Sequence, residues 1–360
     1  MEQIDHLRRK ISSSRCLSGA KWLLACLVAI AGLLPWHSAS AAEQPPAAQP
    51  RYGFRQPAAI AFDGRNIWVA NFGGNSVTEV RAGSGRLVRV VSGPRDRFNE
   101  PDSVAFDGRH IWVANYGGNS LTELSASTGR FVRTLHSAGY GFFAPRALAF
   151  DGSHIWVANS NGMSVTELNA GNGTLVRHLS GGKYGFALPD GLVAGDRHMW
   201  VANRGGDSVT ELSVSSGDLV RTVSGASYGF SMPDGMAFDG WHIWVANVSG
   251  NSVTEFSASS ARHLRTLSGG MYRFNAPGAL VFDGHDIWVA NSGSSTVTEG
   301  SGRGGRHLQT LSGQAYRFNL PVALAFDGRH VWTVNQGNNT VTEFNAATGR
   351  PVRILAGPLT

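Results

Sequence analysis

Asp102, Arg146, Asp190 and Asp234 follow one another at intervals of 44 residues, each directly after a proline (Pro101, Pro145, Pro189, Pro233). Glu100, just before Pro101, adds another acid. Carboxylates brought together like this can hold a hard cation such as Ca²⁺ or Mg²⁺, Ca²⁺ taking about six to eight oxygen ligands. With an arginine among them they can instead grip a polar ligand through charge-assisted hydrogen bonds. The same position reads Ala58, Gly278 and Val322 in the remaining copies. One ligand on an axis cannot use seven equal groups equally, so a specific site is expected where the copies differ. Glu100, Asp102, Arg146, Asp190 and Asp234 are therefore the candidate ligand-binding residues. Asp102, Asp190 and Asp234 are the candidate metal ligands.

Other residue series repeat too regularly to read as individual chemistry. His110, His154, His198, His242 and His330 recur after an Asp-Gly turn, with Asn66 and Asp286 in the other two copies. One per unit and far apart, they are expected to hydrogen-bond within their own units. Glu79 and its six counterparts through Glu343 stand in strand segments with apolar neighbours, so each needs a buried partner. No Ser/His/Asp set, phosphate-binding glycine loop or zinc spacing is present. Both cysteines, Cys16 and Cys26, fall in the first 30 residues, so the rest has neither disulfide nor thiolate metal site.

The elements that position these residues follow from the period. Trp68, Trp112, Trp156, Trp200, Trp244, Trp288 and Trp332 are also spaced by 44, as are Pro57 through Pro321 and Asn71 through Asn335. In the second copy, Ser103–Phe106, His110–Ala114, Ser120–Leu124 and Phe131–Leu135 are short β-branched or aromatic runs between Gly, Asn and Asp turns. Helical periodicity is absent. Seven four-stranded antiparallel units of this length predict an all-β, seven-bladed β-propeller over residues 57–360. The tryptophans are expected to pack between blades, and small residues of the first strands to sit near the axis. Six of the seven fourth strands carry an arginine (Arg89 through Arg353, with Gln309 in the sixth), read as protection of an exposed sheet edge. The Asn71 series is read as a hairpin cap and the Tyr52/Phe54 series as inter-blade packing. Each copy supplies all four strands in order, so ring closure needs no borrowed N-terminal strand.

Ile111-Trp112-Val113-Ala114-Asn115, with Gly117, Asn119 and the Thr128-Gly129 turn, resembles the YVTN-type repeat. Pro101 to Gly108 is similar to the opening of an NHL repeat. Both are propeller families, and the resemblance covers residues 51–360. Related propellers include the metal-dependent streptogramin B lyases and the gluconolactonase-like hydrolases. The resemblance thus implies a lyase or lactonase-type activity as the alternative to simple binding. The lyases' His/Glu/His catalytic arrangement has no obvious counterpart in these repeats.

At the N-terminus, Arg8, Arg9, Lys10, Arg15 and Lys21 precede the apolar run Trp22 to Leu34, followed by Pro35 and Ala39-Ser40-Ala41. This is the pattern of a secretory signal peptide over residues 1–42. The run is too short for the roughly 20 residues of a membrane span. Residues 43–56 read as a leader and first loop. The full chain has 42% hydrophobic and 16% charged residues, which excludes a disordered protein. Residues 1–42 carry half of the net charge of +6; the rest of the chain has a net charge of +3 from scattered arginines, not a basic patch, so nucleic acid is not an expected partner. The sequence therefore describes a secreted or periplasmic propeller, a monomer without a membrane segment once processed. It is expected to bind a protein, glycan or small molecule through its upper face. No cofactor is specified beyond the possible Ca²⁺ or Mg²⁺, and catalysis is left open. N-terminal sequencing of the exported protein should return Ala42 or Glu43; a chain that starts at Met1 would refute the signal peptide.

Overall fold

The computed structural model describes residues 52–136 and 138–357; the segment read as a signal peptide lies outside them. Twenty-eight strands form seven four-stranded antiparallel sheets, each built from consecutive strands. Blade 1 runs from Pro57–Phe62 to Leu87–Val91 and blade 7 from Pro321–Phe326 to Pro351–Ala356. In blade 2 the strands are Pro101–Phe106, His110–Asn115, Ser120–Ser125 and Phe131–Leu135, within two residues of the ends expected from sequence. Blade 7 has all four strands of its own, so the ring closes without exchange.

The tryptophans carry the seams between blades. Each of the seven at the 44-residue spacing is fully buried. Trp112 packs against Ile155, Val157 and Leu168 of blade 3, and Trp332 packs against Ile67, Val69 and Val80 of blade 1. Truncating so large a buried side chain typically costs about 3–5 kcal/mol. Loop tyrosines seal the same seams: Tyr140 stacks on Phe142 at 5.3 Å and donates from its hydroxyl to the carbonyl of Gly173 (3.1 Å).

A burial this deep needs an acceptor for every indole N–H. The aspartate of the first turn provides it. In blade 2, Asp107 accepts from Trp112 Nε1 (2.8 Å) and from the backbone N–H groups of Arg109 and His110 (2.7 and 2.5 Å). His110 Nδ1 lies 3.2 Å from Asp107 and 3.3 Å from Glu123, whose other oxygen pairs with Arg133 Nε at 2.7 Å. Asp-His-Glu groups of this kind also cluster at Asp151/His154/Glu167, Asp239/His242/Glu255 and Asp327/His330/Glu343. Each is built into its own blade, as the sequence suggested.

Three blades depart from this network: blade 1 has Asn66 in place of the histidine, and blades 4 and 6 depart further. In blade 4 the turn reads Gly195-Asp196, so strand Pro189–Gly195 pairs Gly195 with His198 across a two-residue hairpin with positive φ at Asp196 and Arg197. Trp200 Nε1 has no acceptor there, and His198 reaches only Glu211 (3.5 Å). In blade 6, Asp286 replaces the histidine and Gln309 the arginine.

Two local expectations need correcting. The fourth-strand arginines do not simply guard an edge. They turn inward onto the glutamates and reach the next blade: Arg177 and Arg221 donate to the carbonyls of Ser215 and Ser259, both at 3.4 Å. Gly129, at φ +66°, sits so close to Arg89 that an added Cβ would lie 2.5 Å from its Cδ. Arg353 makes the same approach to Gly85, from the last blade to the first. The asparagines, for their part, are fully buried ties and not only hairpin caps. Asn71 Nδ2 donates to Ser76 Oγ (3.2 Å) and Thr78 Oγ1 (2.9 Å), and Thr78 donates onward to the Tyr52 carbonyl (2.8 Å).

Burial pushes all seven glutamates above their usual range, and in six blades the arginine pulls against it. Glu299 has no such cation: burial holds it up at about 7, with Asp286 and Asp283 adding to the rise and only the Gln309 hydrogen bond opposing it. A group whose folded-state pKa is raised stabilises the fold at low pH and loses that contribution as pH climbs through the folded value. Gln309→Arg should therefore stabilise the ring by about 1–3 kcal/mol at pH 8 and by much less at pH 5, where Glu299 is protonated. Melting curves at the two pH values check this; an equal effect at both would deny that Glu299 is the group relieved.

Candidate functional site

Each first strand begins at its proline on the upper rim of the axial channel, and the following residue faces the axis. A cavity of about 330 Å³ there is lined by that residue from all seven blades: Ala58, Asp102, Arg146, Asp190, Asp234, Gly278 and Val322. Four of the five candidate residues thus meet at one place. Glu100 does not line the cavity; its N–H donates to Asn75 Oδ1 (2.8 Å) and its carbonyl accepts from the Tyr116 N–H (2.9 Å).

The four are tied by direct ion pairs. Arg146 Nε lies 3.2 Å from Asp102 Oδ2 and 3.0 Å from Asp190 Oδ1. The other oxygen of Asp190 accepts from Arg204 Nη1 at 3.0 Å, and Arg204 approaches Asp234 at 3.8 Å. Asp190, its side chain only 3% exposed, is therefore clamped between two guanidinium groups. The Arg146 guanidinium also lies 5.7 Å from the centre of the Tyr116 ring.

Arg204 was missed from the sequence. It follows Asn203 at the hairpin between second and third strands, a position that reads Phe72, Tyr116, Ser160, Arg204, Val248, Ser292 and Gln336 around the ring. Four of these, Arg204, Val248, Ser292 and Gln336, line the same cavity. This was a second variable position beside an invariant residue, and that variation was the available signal.

The electrostatics follow from this packing. Burial raises Asp102 above the usual carboxylate range, opposed by Arg146. Burial works against the charge on Arg146, but Asp190, Asp102 and Asp234 together hold its guanidinium above its ordinary value. Asp234 is the least compensated: burial and the neighbouring Asp190 push it up to about 7. Three carboxylates face two guanidiniums, and the opposite wall of Ala58, Gly278, Val322 and Val248 is small or apolar.

This donor set does not fit a Ca²⁺ or Mg²⁺ ion held by Asp102, Asp190 and Asp234. Both oxygens of Asp190 and one of Asp102 are already engaged by arginines, whose charges would repel a cation placed among them. What the arrangement can do is present fixed donors and acceptors to a ligand that carries complementary polar groups.

No family model matches the sequence, and no curated relative does. Solved structures share the fold. Virginiamycin B lyase from Staphylococcus aureus matches with a TM-score of 0.67 at 16% identity, over 80% of this chain and 95% of that one. A streptogramin B lyase structure matches at 0.65 and 19% identity, over 81% and 93%. Hydrazine synthase of Kuenenia stuttgartiensis matches at 0.65 and 16%, over 84% and 99%.

Two substitutions separate the roles inside the cluster. Asp190→Asn removes the charge that two arginines share and should destabilise by about 1–3 kcal/mol at pH 7–8. Asp234→Asn should raise the melting midpoint at pH 8 and change little at pH 5, because the raised pKa of Asp234 marks a charge the folded state disfavours. Thermal melts of both variants decide it; a loss of stability for Asp234→Asn at pH 8 would make that carboxylate a required partner of Arg204. The chain is a seven-bladed β-propeller with the fold of the streptogramin B lyases, a likeness of fold alone at these identities.

Proposed function

We propose that this is an exported binding protein whose upper channel mouth holds a polar small molecule, or the polar end of a glycan or protein chain. The observation that carries this reading is the convergence of the residues that depart from the 44-residue pattern. Asp102, Arg146, Asp190, Arg204 and Asp234 would be interchangeable with their counterparts if the ring were only a scaffold, yet they meet in one cavity. The charged half offers both donors and acceptors; the small and apolar half leaves room for the body of a ligand. The propeller fold suits such a binding or interaction role, and export follows from the N-terminal sequence pattern. The alternative, a metal-dependent lyase or lactonase, depends on a metal that these aspartates are not free to ligate. No sequence relative supplies that activity either.

The test is a thermal-shift screen of sugars, amino acids, polyamines and small organic acids against the purified protein. A ligand of this site raises the melting midpoint through its binding to the folded ring alone. Arg204→Gln should abolish that rise. Asp207→Asn should preserve it, since four other blades carry asparagine at this hairpin position. Millimolar Ca²⁺ or Mg²⁺ should leave the midpoint unchanged. Hits that survive Arg204→Gln would place binding elsewhere, and a Ca²⁺-dependent rise lost in Asp190→Asn would return the metal reading.

A further inference from the structure

The lower half of blade 6 has lost both cations that flank its buried glutamate elsewhere. In blades 2, 3, 5 and 7, the histidine Nδ1 stands between 3.0 and 3.5 Å from both the turn aspartate and the glutamate. In six blades an arginine takes the second glutamate oxygen. Blade 6 has Asp286 for the histidine and Gln309 for the arginine. It also has Gly300 where the other blades carry Val80, Leu124, Leu168, Leu212, Phe256 or Phe344.

The consequences are local and specific. Glu299 is only 6% exposed. Its Oε2 accepts from Gln309 Nε2 (2.5 Å), while its Oε1 has no hydrogen-bond donor among the described residues. Neither Glu299 nor Asp286 forms an ion pair among the described residues. Both line a cavity of about 630 Å³ at the seam between blades 6 and 7, with Asp283, His285, Phe326 and Arg329 on its walls. A second cavity, of about 570 Å³, shares His285 and Asp286 and is bordered by Trp241, which is 78% exposed. Burial and the neighbouring Asp283 hold Asp286 above its usual range, against weaker opposing pulls from the Gly302 N–H, His285 and Arg306.

We infer that this part of blade 6 is a binding site for an organic cation, a ligand whose guanidinium or primary ammonium group enters between Asp286 and Glu299. The other blades show the chemistry in place: a buried glutamate of this position is satisfied by a protein imidazole and guanidinium. In blade 6 the ligand brings the cation, paired with two carboxylates of which Glu299 is buried, through charge-assisted hydrogen bonds. Phe326 gives the carbon stem of the ligand an apolar wall. A bare metal ion suits the site less well. One oxygen of Glu299 is already engaged by an amide, and the cavity is far larger than an ion. This site is separate from the channel mouth and stands independently of the function proposed there.

The experiment is calorimetric titration of agmatine into the purified protein at pH 8. Wild type should bind. Asp286→His rebuilds the arrangement of blades 2, 3, 5 and 7, so it should fold at least as well and weaken agmatine at least about tenfold, the loss of one charge-assisted pair. Glu299→Gln, equal in shape, should do the same. Asp207 lines neither this cavity nor the channel mouth, so Asp207→Asn should leave the affinity unchanged. The inference is overturned if wild type does not bind, if Asp286→His or Glu299→Gln binds as tightly as wild type, or if Asp207→Asn abolishes binding. Ca²⁺ or Mg²⁺ binding in preference to agmatine, and lost in Asp286→His, would overturn the class of ligand.

Discussion

The ring depends on one carboxylate per blade. An indole can be buried in a seam only if its N–H finds an acceptor, and the turn aspartate is the acceptor in six of seven blades. The same carboxylate fixes the turn through two backbone N–H groups, and in four blades it meets the histidine that leads to the buried glutamate and arginine. Turn geometry, seam packing and outer-strand pairing are therefore linked through a few atoms. In blade 4 the aspartate has moved by one place, and the links come apart. The hairpin tightens, the indole of Trp200 loses its acceptor, and the histidine keeps a single partner. The tryptophan still packs, because the apolar seam around it is unchanged.

Much of this was legible in the sequence because repetition is an internal control. The spacing of Trp68 through Trp332 gave the blade count and the order of the four strands in each blade. Arithmetic of this kind says where a residue lies along a strand. It does not say how far the side chain reaches. The arginines show the difference: their length carries them onto a glutamate one strand inward and a turn one blade onward, neither of which a period can reveal. Arg204 was hidden for the same reason. It lies outside the first strand and enters the channel mouth only through its long side chain. The three aspartates were placed correctly at the mouth, but as free ligands; without Arg204 in view, their charges looked uncompensated.

Two of the places where the pattern fails, the channel mouth and blade 6, are opposite in character. At the channel mouth, a position that is small or apolar in three blades becomes charged in the other four, and acids and bases meet in near balance. In the lower half of blade 6, the network loses its bases and keeps its acids. Elsewhere the seams are near copies of one another, which is why their histidines and glutamates read as architecture. Differences between blades, more than the residue types themselves, separate framework from site.

Closure without strand exchange has a topological consequence. Six of the seven seams are spanned by a peptide loop as well as by packing; at the seam between blades 7 and 1 the contacts among the described residues include Trp332 against Ile67 and Val69, Arg353 against Gly85, and the Gln56 backbone N–H donating to Asn339 Oδ1 (2.6 Å). That seam is the clasp of the ring. Its tryptophan and arginine contacts are of the same kind as those at the other seams. The number of blades is set by the wedge angle each seam imposes.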